Sequence, residues 1–208
     1  MTTIVWNRRV LVGDTYGSLE DGALGISGIP VGDYLETKIF TPSSSVNFEK
    51  SPLIAVAGAG ELGIILALKA YLFSHETSRS QFCKYSSNMA AKTGRDCDLF
   101  ILTVKHCWMV SVRSQQTLFK DVTNSLEAIG TGRHHAFMLM QKGGGAIASV
   151  LFASCNDGAT NDKVTLVKWK EGCQFREATA FEHRLGWLQI RIFEKLRVFN
   201  TKKDEMEG

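Results

Sequence analysis

The chain has 208 residues, 44% hydrophobic and 22% charged, a balance that excludes a disordered chain and gives one domain, or two small ones, a sizeable buried core. Lys and Arg number 24 against 21 Asp and Glu, a net charge of +3, too small an excess to point to nucleic acid. The five Cys are odd in number and form no CxxC pair, which argues against a zinc site or disulfide framework and for free thiols in a reducing cytoplasm.

In chain order, Met1–Trp6 and Val10–Asp14 are rich in apolar and β-branched residues, and Asn7-Arg8-Arg9 between them reads as a hairpin turn. The same polar trio interrupts the apolar run, so no signal peptide is read there. Gly17, Gly22, Gly25, Gly28 and Gly32 mark loop and short strand, Thr37–Phe40 a short strand, Thr41–Lys50 a turn region and Pro52–Gly58 a buried strand. Glu61–Ser74 is apolar all round and long enough for a buried helix. Its core, Leu62–Phe73, contains Lys69 and is too short to span a bilayer. Ser74–Arg95 reads as loop and helix, Asp98–Val104 and Cys107–Val112 as strands, and Gln115–Leu126 as mixed. Ala128–Gly132 reads as a Gly-flanked turn, Arg133–Met140 as a helix ended by Gly143-Gly144-Gly145, and Ala146–Ser154 as a further helix. Asp157–Asp162 is a polar loop and Val164–Trp169 a strand. Consecutive strands with two helical blocks fit an α+β fold of two sheets sandwiched by helices.

Thr2 is the first chemical candidate. Loss of Met1 would give one residue both a hydroxyl and an α-amino group. That amine titrates at about 7.7–8.0, a better base near neutral pH than a lysine at about 10.4. Nucleophile and base would then sit on a single residue.

Several motifs extend this. Met1-Thr2-Thr3-Ile4-Val5 with Gly13-Asp14-Thr15, Thr37-Lys38-Ile39-Phe40, Ala55–Gly60, Gly130-Thr131-Gly132 and Asp157-Gly158-Ala159-Thr160 occur in order over residues 2–169. Together they resemble the proteasome β-type subunits and the bacterial proteasome-like heat-shock peptidase, which are N-terminal nucleophile hydrolases. The resemblance implies a four-layer αββα sandwich with Thr2 as nucleophile, Asp14 and Lys38 beside it and the Gly58 amide as oxyanion donor. It implies Thr131, Asp157 and Thr160 as the holders of the N-terminal amine. It also implies a polypeptide substrate, a homo-oligomeric ring, an ATP-driven unfoldase as partner, no cofactor, no metal, no membrane and no nucleic acid. A nearby ammonium would lower the effective pKa of the Thr2 hydroxyl, and the carboxylate would make that buried charge tolerable.

The chain departs from the family pattern in places. The hairpin is short, Tyr16 stands where arginine is usual, and Thr131 and Thr160 replace serines, adding methyl groups to a crowded site. Residues after about 170 match no family segment, so the expected division is a domain over 1–170 and an extension over 171–208. In that extension Leu185, Leu188, Ile192, Leu196 and Phe199 form one helical stripe. Trp187, Ile190 and Phe193 widen it, and Arg184, Arg191, Lys195 and Arg197 flank it. The expected partner of the stripe is a neighbouring subunit or an edge of the sandwich. His134 and His135 point about 100° apart on a helix and do not suit one metal. His106 and Cys107 alternate faces on a strand, which disfavours a thiol–imidazole dyad. Gly143-Gly144-Gly145 lacks the Lys-Ser/Thr of a phosphate loop.

The reading is a cytoplasmic threonine peptidase of bacterial or bacteriophage source. The alternative is a non-catalytic assembly protein of the same fold that retains Met1.

Overall fold

A computed structural model describes residues 2–17, 34–35, 38–158, 160, 162–169 and 175–207. Most of the Gly-rich segment read from the sequence lies outside them. Strands β1 (Thr3–Trp6), β2 (Val10–Asp14), β11 (Glu127–Gly130), β12 (Val164–Lys168) and β13 (Phe175–Glu177) form one antiparallel sheet in the order β11-β1-β2-β12-β13. A second antiparallel sheet has the order β10-β9-β8-β7-β5. It is built from β5 (Ile39–Phe40), β7 (Ser51–Gly60), β8 (Cys97–Thr103), β9 (Cys107–Val112) and β10 (Thr117–Asp121), with β6 (Asn47–Phe48) also paired to β7. The short strands β3 (Tyr16–Gly17) and β4 (Tyr34–Leu35) pair with each other. Helices α1 (Leu62–Ser74) and α2 (Arg79–Thr93) follow β7. α3 (Arg133–Gln141) and α4 (Ala146–Asn156) follow β11, and α5 (Ala180–Glu207) follows β13.

Side-chain alternation along the strands sets the layering. Successive residues of a strand point to opposite faces, and here both faces are buried. Ile4, Trp6, Leu11 and Val167 of the first sheet meet Ala55, Ala57, Ala59, Phe100 and Leu102 of the second in a core between the sheets. The intervening Val5, Val12 and Leu166 turn outward onto α3, α4 and α5. Val56, Leu99 and Ile101 turn outward onto α1 and α2. The result is the expected helix–sheet–sheet–helix stack. Small residues on β7 make room for Trp6, which is fully buried, donates from Nε1 to the Val122 carbonyl at 2.8 Å and packs edge-on against Trp169 at 5.6 Å.

The predicted strands and helices at the N-terminal end, at β7–α1 and at β8–β9 occur where the pattern placed them. The Asn7 side chain accepts from the amides of Arg9 and Val10, and Arg8 takes a φ of 75°, closing the short hairpin. Ala128–Gly130 is not a turn: it belongs to β11, which pairs with β1 from Thr3↔Gly130 to Trp6↔Glu127. Thr117–Asp121, within a stretch of mixed character, is strand β10.

The tail is helical, and the expected stripe faces away from the body of the fold. Ile190 is buried with Trp187 and Phe193 against α4, whereas Leu185, Leu188, Ile192 and Leu196 face outward. Gly186 allows the close approach, since a Cβ there would lie 2.8 Å from Leu151 Cδ1. Gln189 Oε1 accepts from the Gly145 amide at 2.9 Å.

Candidate active site

The antiparallel register brings four strand ends together. Thr2 and Thr3 open β1, Asp14 closes β2 beside them, Gly130 closes β11 opposite Thr3, and Val164 of β12 pairs with Asp14. The second sheet contributes Lys38, immediately before β5, and Gly58–Gly60 at the end of β7. A shallow cleft opens here, lined by Thr2, Lys38, Phe40, Gly58, Gly60, Leu62 and Ile65.

Thr2, Asp14 and Lys38 are all buried. Thr2 Oγ1 donates to Asp14 Oδ1, and the same oxygen accepts from the Thr3 amide at 2.9 Å. Asp14 thus fixes both the hydroxyl and the backbone of the first strand residues. Burying a carboxylate and an ammonium costs more than an apolar pair of the same volume, so packing alone gives no reason for these two residue types.

A second cluster stands at the opening of β1. Asp157 Oδ2 accepts from Thr131 Oγ1 at 2.6 Å and from Thr160 Oγ1 at 3.0 Å, while Thr160 Oγ1 lies 2.7 Å from Thr3 Oγ1. A hydroxyl has one proton to donate. With Thr160 donating to Asp157, Thr3 donates to Thr160, so the chain Thr3–Thr160–Asp157 is ordered in one direction. The methyl groups of Thr131 and Thr160 do not prevent these bonds. The Thr131 amide also donates to the Thr2 carbonyl at 2.9 Å.

The glycines beside the cluster are required by contact. A Cβ on Gly130, whose φ is +96°, would lie 1.9 Å from the Thr2 carbonyl oxygen, and one on Gly132 would lie 2.2 Å from Thr3 Oγ1. Only glycine lets the β11–α3 corner press this close to residues 2 and 3.

Gly58 has a different reason for being glycine. A Cβ there would lie 2.6 Å from Ile65 Cγ2 and 2.9 Å from Leu99 Cδ2, so it seats α1 on β7. Its amide, expected to receive an oxyanion, donates to the Lys38 carbonyl at 3.2 Å and so ties β5 to β7. The cleft-lining neighbour that the sequence reading passed over is Gly60, with φ +123°. Its place at the end of a Gly-x-Gly strand was the available signal.

The surrounding fold has solved counterparts. Anbu from Hyphomicrobium sp. strain MC1 superposes with a TM-score of 0.63 in a Gly-1 mutant and 0.60 in a second structure, at 11% and 12% identity, each covering 97% of both chains. HslV from Trypanosoma brucei superposes with a TM-score of 0.52 at 14% identity, covering 80% of this chain and 98% of its own. This chain has the proteasome-like N-terminal nucleophile hydrolase fold. No protein-family model and no curated protein sequence matches it. The Anbu likeness reaches into the tail after residue 170, which matches no segment of the family pattern expected from the sequence, since only 3% of this chain lies outside it.

Other candidates stay apart from this site. His106 Nδ1 sits 3.0 Å from Asp121 at the surface, while burial pushes the adjacent Cys107 thiol well above its ordinary value. Burial, helped by Asp98, pushes Cys97 up to about 12. His134 is exposed and His135 packs on Phe152. Among the described residues no group of three or more His, Cys, Asp or Glu side chains is placed to hold a metal, and no helix is long and apolar enough to cross a membrane.

Proposed function

We propose that the chain is a threonine peptidase whose nucleophile is Thr2 after removal of Met1. The observation that carries this reading is the Thr2 hydroxyl, hydrogen-bonded to a buried Asp14 at the head of a cleft that also holds the buried Lys38. Thr2 Oγ attacks the scissile carbonyl and its proton passes to the Thr2 α-amino group. The Lys38 ammonium lowers the cost of the developing alkoxide. Collapse breaks the C–N bond, the amine leaves with the proton, and an ester remains on Thr2. Water then adds to the ester with the α-amino group as base, and the acid product departs.

Asp157, oriented by Thr131 and Thr160, holds the amine in place. Residues 1–170 carry this chemistry, and residues 171–208 form an extension of it. The protein works as a homo-oligomeric ring fed with polypeptide by an ATP-driven unfoldase.

Two measurements test this. The intact mass of the purified protein should lack one methionine. Thr2→Ala should keep the fold and lose at least ~10³-fold in fluorogenic peptide hydrolysis, the scale of losing a member of a catalytic triad. Lys38→Arg should also be inactive, because a planar guanidinium cannot take the place of a compact ammonium. Full turnover by Thr2→Ala would show that Thr2 is not the nucleophile, and a retained Met1 would favour a non-catalytic assembly role.

A further inference from the structure

Apolar exposure is concentrated on α5. Of the eight large hydrophobic side chains exposed among the described residues, five lie on this helix: Phe181 at 73%, and Leu185, Leu188, Ile192 and Leu196 between 44% and 58%. They follow one another at steps of four, three, four and four. The stripe lies on the side of α5 away from Gly186 and Ile190, which pack on α4. The helix is pinned at its start. Arg176 forks onto Glu182 at 2.6 and 2.7 Å, and Glu182 Oε2 accepts from the Thr179 amide at 2.8 Å. The outward stripe is therefore held in a fixed orientation.

At 1.5 Å per residue the stripe runs roughly 22 Å. Half-exposed side chains of this size present on the order of 100 Å² each, so the stripe offers on the order of 500 Å², the size of the largest apolar patch on a typical monomer, which is often functional. Two such stripes laid together would remove on the order of 1,000 Å² in total, the size at which a specific interface begins. Steps of three and four make a seam of knobs and holes, and its complement is a helix with the same steps. The helix on hand that meets this requirement is α5 of another copy. Arg184, Arg191 and Lys195 border the seam and would lie at its wet rim. The seam is narrow and the opposite face is already taken by α4, which fits a helix partner better than the broad apolar face that a lipid surface favours.

We propose that the outward stripe of α5 is a self-association surface, seating α5 of one copy against α5 of another. This deepens the oligomer part of the proposed function and does not depend on the peptidase chemistry.

The test uses the full chain. Sedimentation velocity should show the wild type as an oligomer and the double variant Leu188→Glu, Ile192→Glu at lower mass, with unchanged circular dichroism. Should the double variant fail to fold, a benzophenone amino acid placed at position 188 decides the matter. In a mixture of isotopically light and heavy protein, cross-links should join α5 of one copy to α5 of another. Three results would overturn the proposal: an unchanged oligomer in the folded double variant, cross-links landing outside α5, or a monomeric wild type that sediments with phosphatidylserine vesicles. The first two leave the ring and the peptidase reading standing.

Discussion

Gly130 is the residue at which the geometry of the site is least forgiving. Its backbone lies at φ +96°, and any Cβ would overlap the Thr2 carbonyl oxygen. Gly130→Ala should therefore cost on the order of 3 kcal/mol, from the left-handed conformation and the displaced strand together. It should also depress peptide hydrolysis more than stability alone explains, because Thr2 moves with the strand. Denaturant unfolding and single-turnover hydrolysis would check both. Gly58→Ala makes a useful contrast, since its clash is with Ile65 and Leu99 side chains rather than with Thr2. At this scale the sequence was informative where spacing carries chemistry. Thr2, Asp14, Lys38, Thr131, Asp157 and Thr160 were all named from it, and the register gathers them at one end of the sandwich. It is silent on which backbone amides are already engaged: the Gly58 amide, expected as an oxyanion donor, donates to the carbonyl of its strand neighbour Lys38. Hydrogen-bond direction along a strand depends on pairing partners, which local sequence does not contain.

Single elements show where pattern reading holds and where tertiary context overrides it. The turn between β6 and β7 places two consecutive non-glycine residues in the left-handed region, Glu49 at φ 52° and Lys50 at φ 59°. Such a turn prefers Asn-Gly. Glu49 is retained because its carboxylate accepts from the Arg79 amide at the start of α2, but Lys50 is exposed. Lys50→Gly should stabilise the protein by about 0.5–1 kcal/mol and raise the melting temperature by a few degrees.

The start of α5 makes a pH-dependent prediction. The Arg176 fork, working against burial and aided by Thr179, lowers the Glu182 carboxyl from 4.5 to about 2. A carboxyl depressed in the folded state contributes stability that is complete above its unfolded value and fades as pH falls through the folded one. Glu182→Gln should thus melt lower than wild type at pH 7, with the difference closing between about pH 4.5 and pH 2. A difference that persists at pH 2 would contradict this account. The start of α2 was legible and was passed over: Ser78-Arg79-Ser80-Gln81 forms a capping box, a four-residue signal of a helix N-terminus. β10 and β11 carried no such mark. Thr117–Asp121 is largely exposed, so it lacks the alternation of a buried strand, and Glu127–Gly130 ends in the glycine that made it resemble a turn.

At the scale of the whole molecule, three apolar clusters stack with the two sheets between them, and the paired alternation of β1, β2, β7 and β8 serves two clusters at once. That is why nearly continuous apolar strands, and not half-polar ones, ran through the sequence, and why the layered class was legible without knowing the strand order. The tail was half legible. Its period revealed a helix, yet period alone does not say which of two apolar faces meets the body. Small Gly186 and buried Ile190 selected one face for α4 and left the other outward.

All of this architecture converges on the first residues of β1. A peptidyl epoxyketone, which needs both a hydroxyl nucleophile and a free α-amine on the same residue, interrogates that point directly. After incubation with the native protein, mass spectrometry should find one adduct per chain on a peptide that begins at Thr2, and none in Thr2→Ala. An unlabelled chain, or a label on any other residue, would contradict the assignment of Thr2 as the nucleophile.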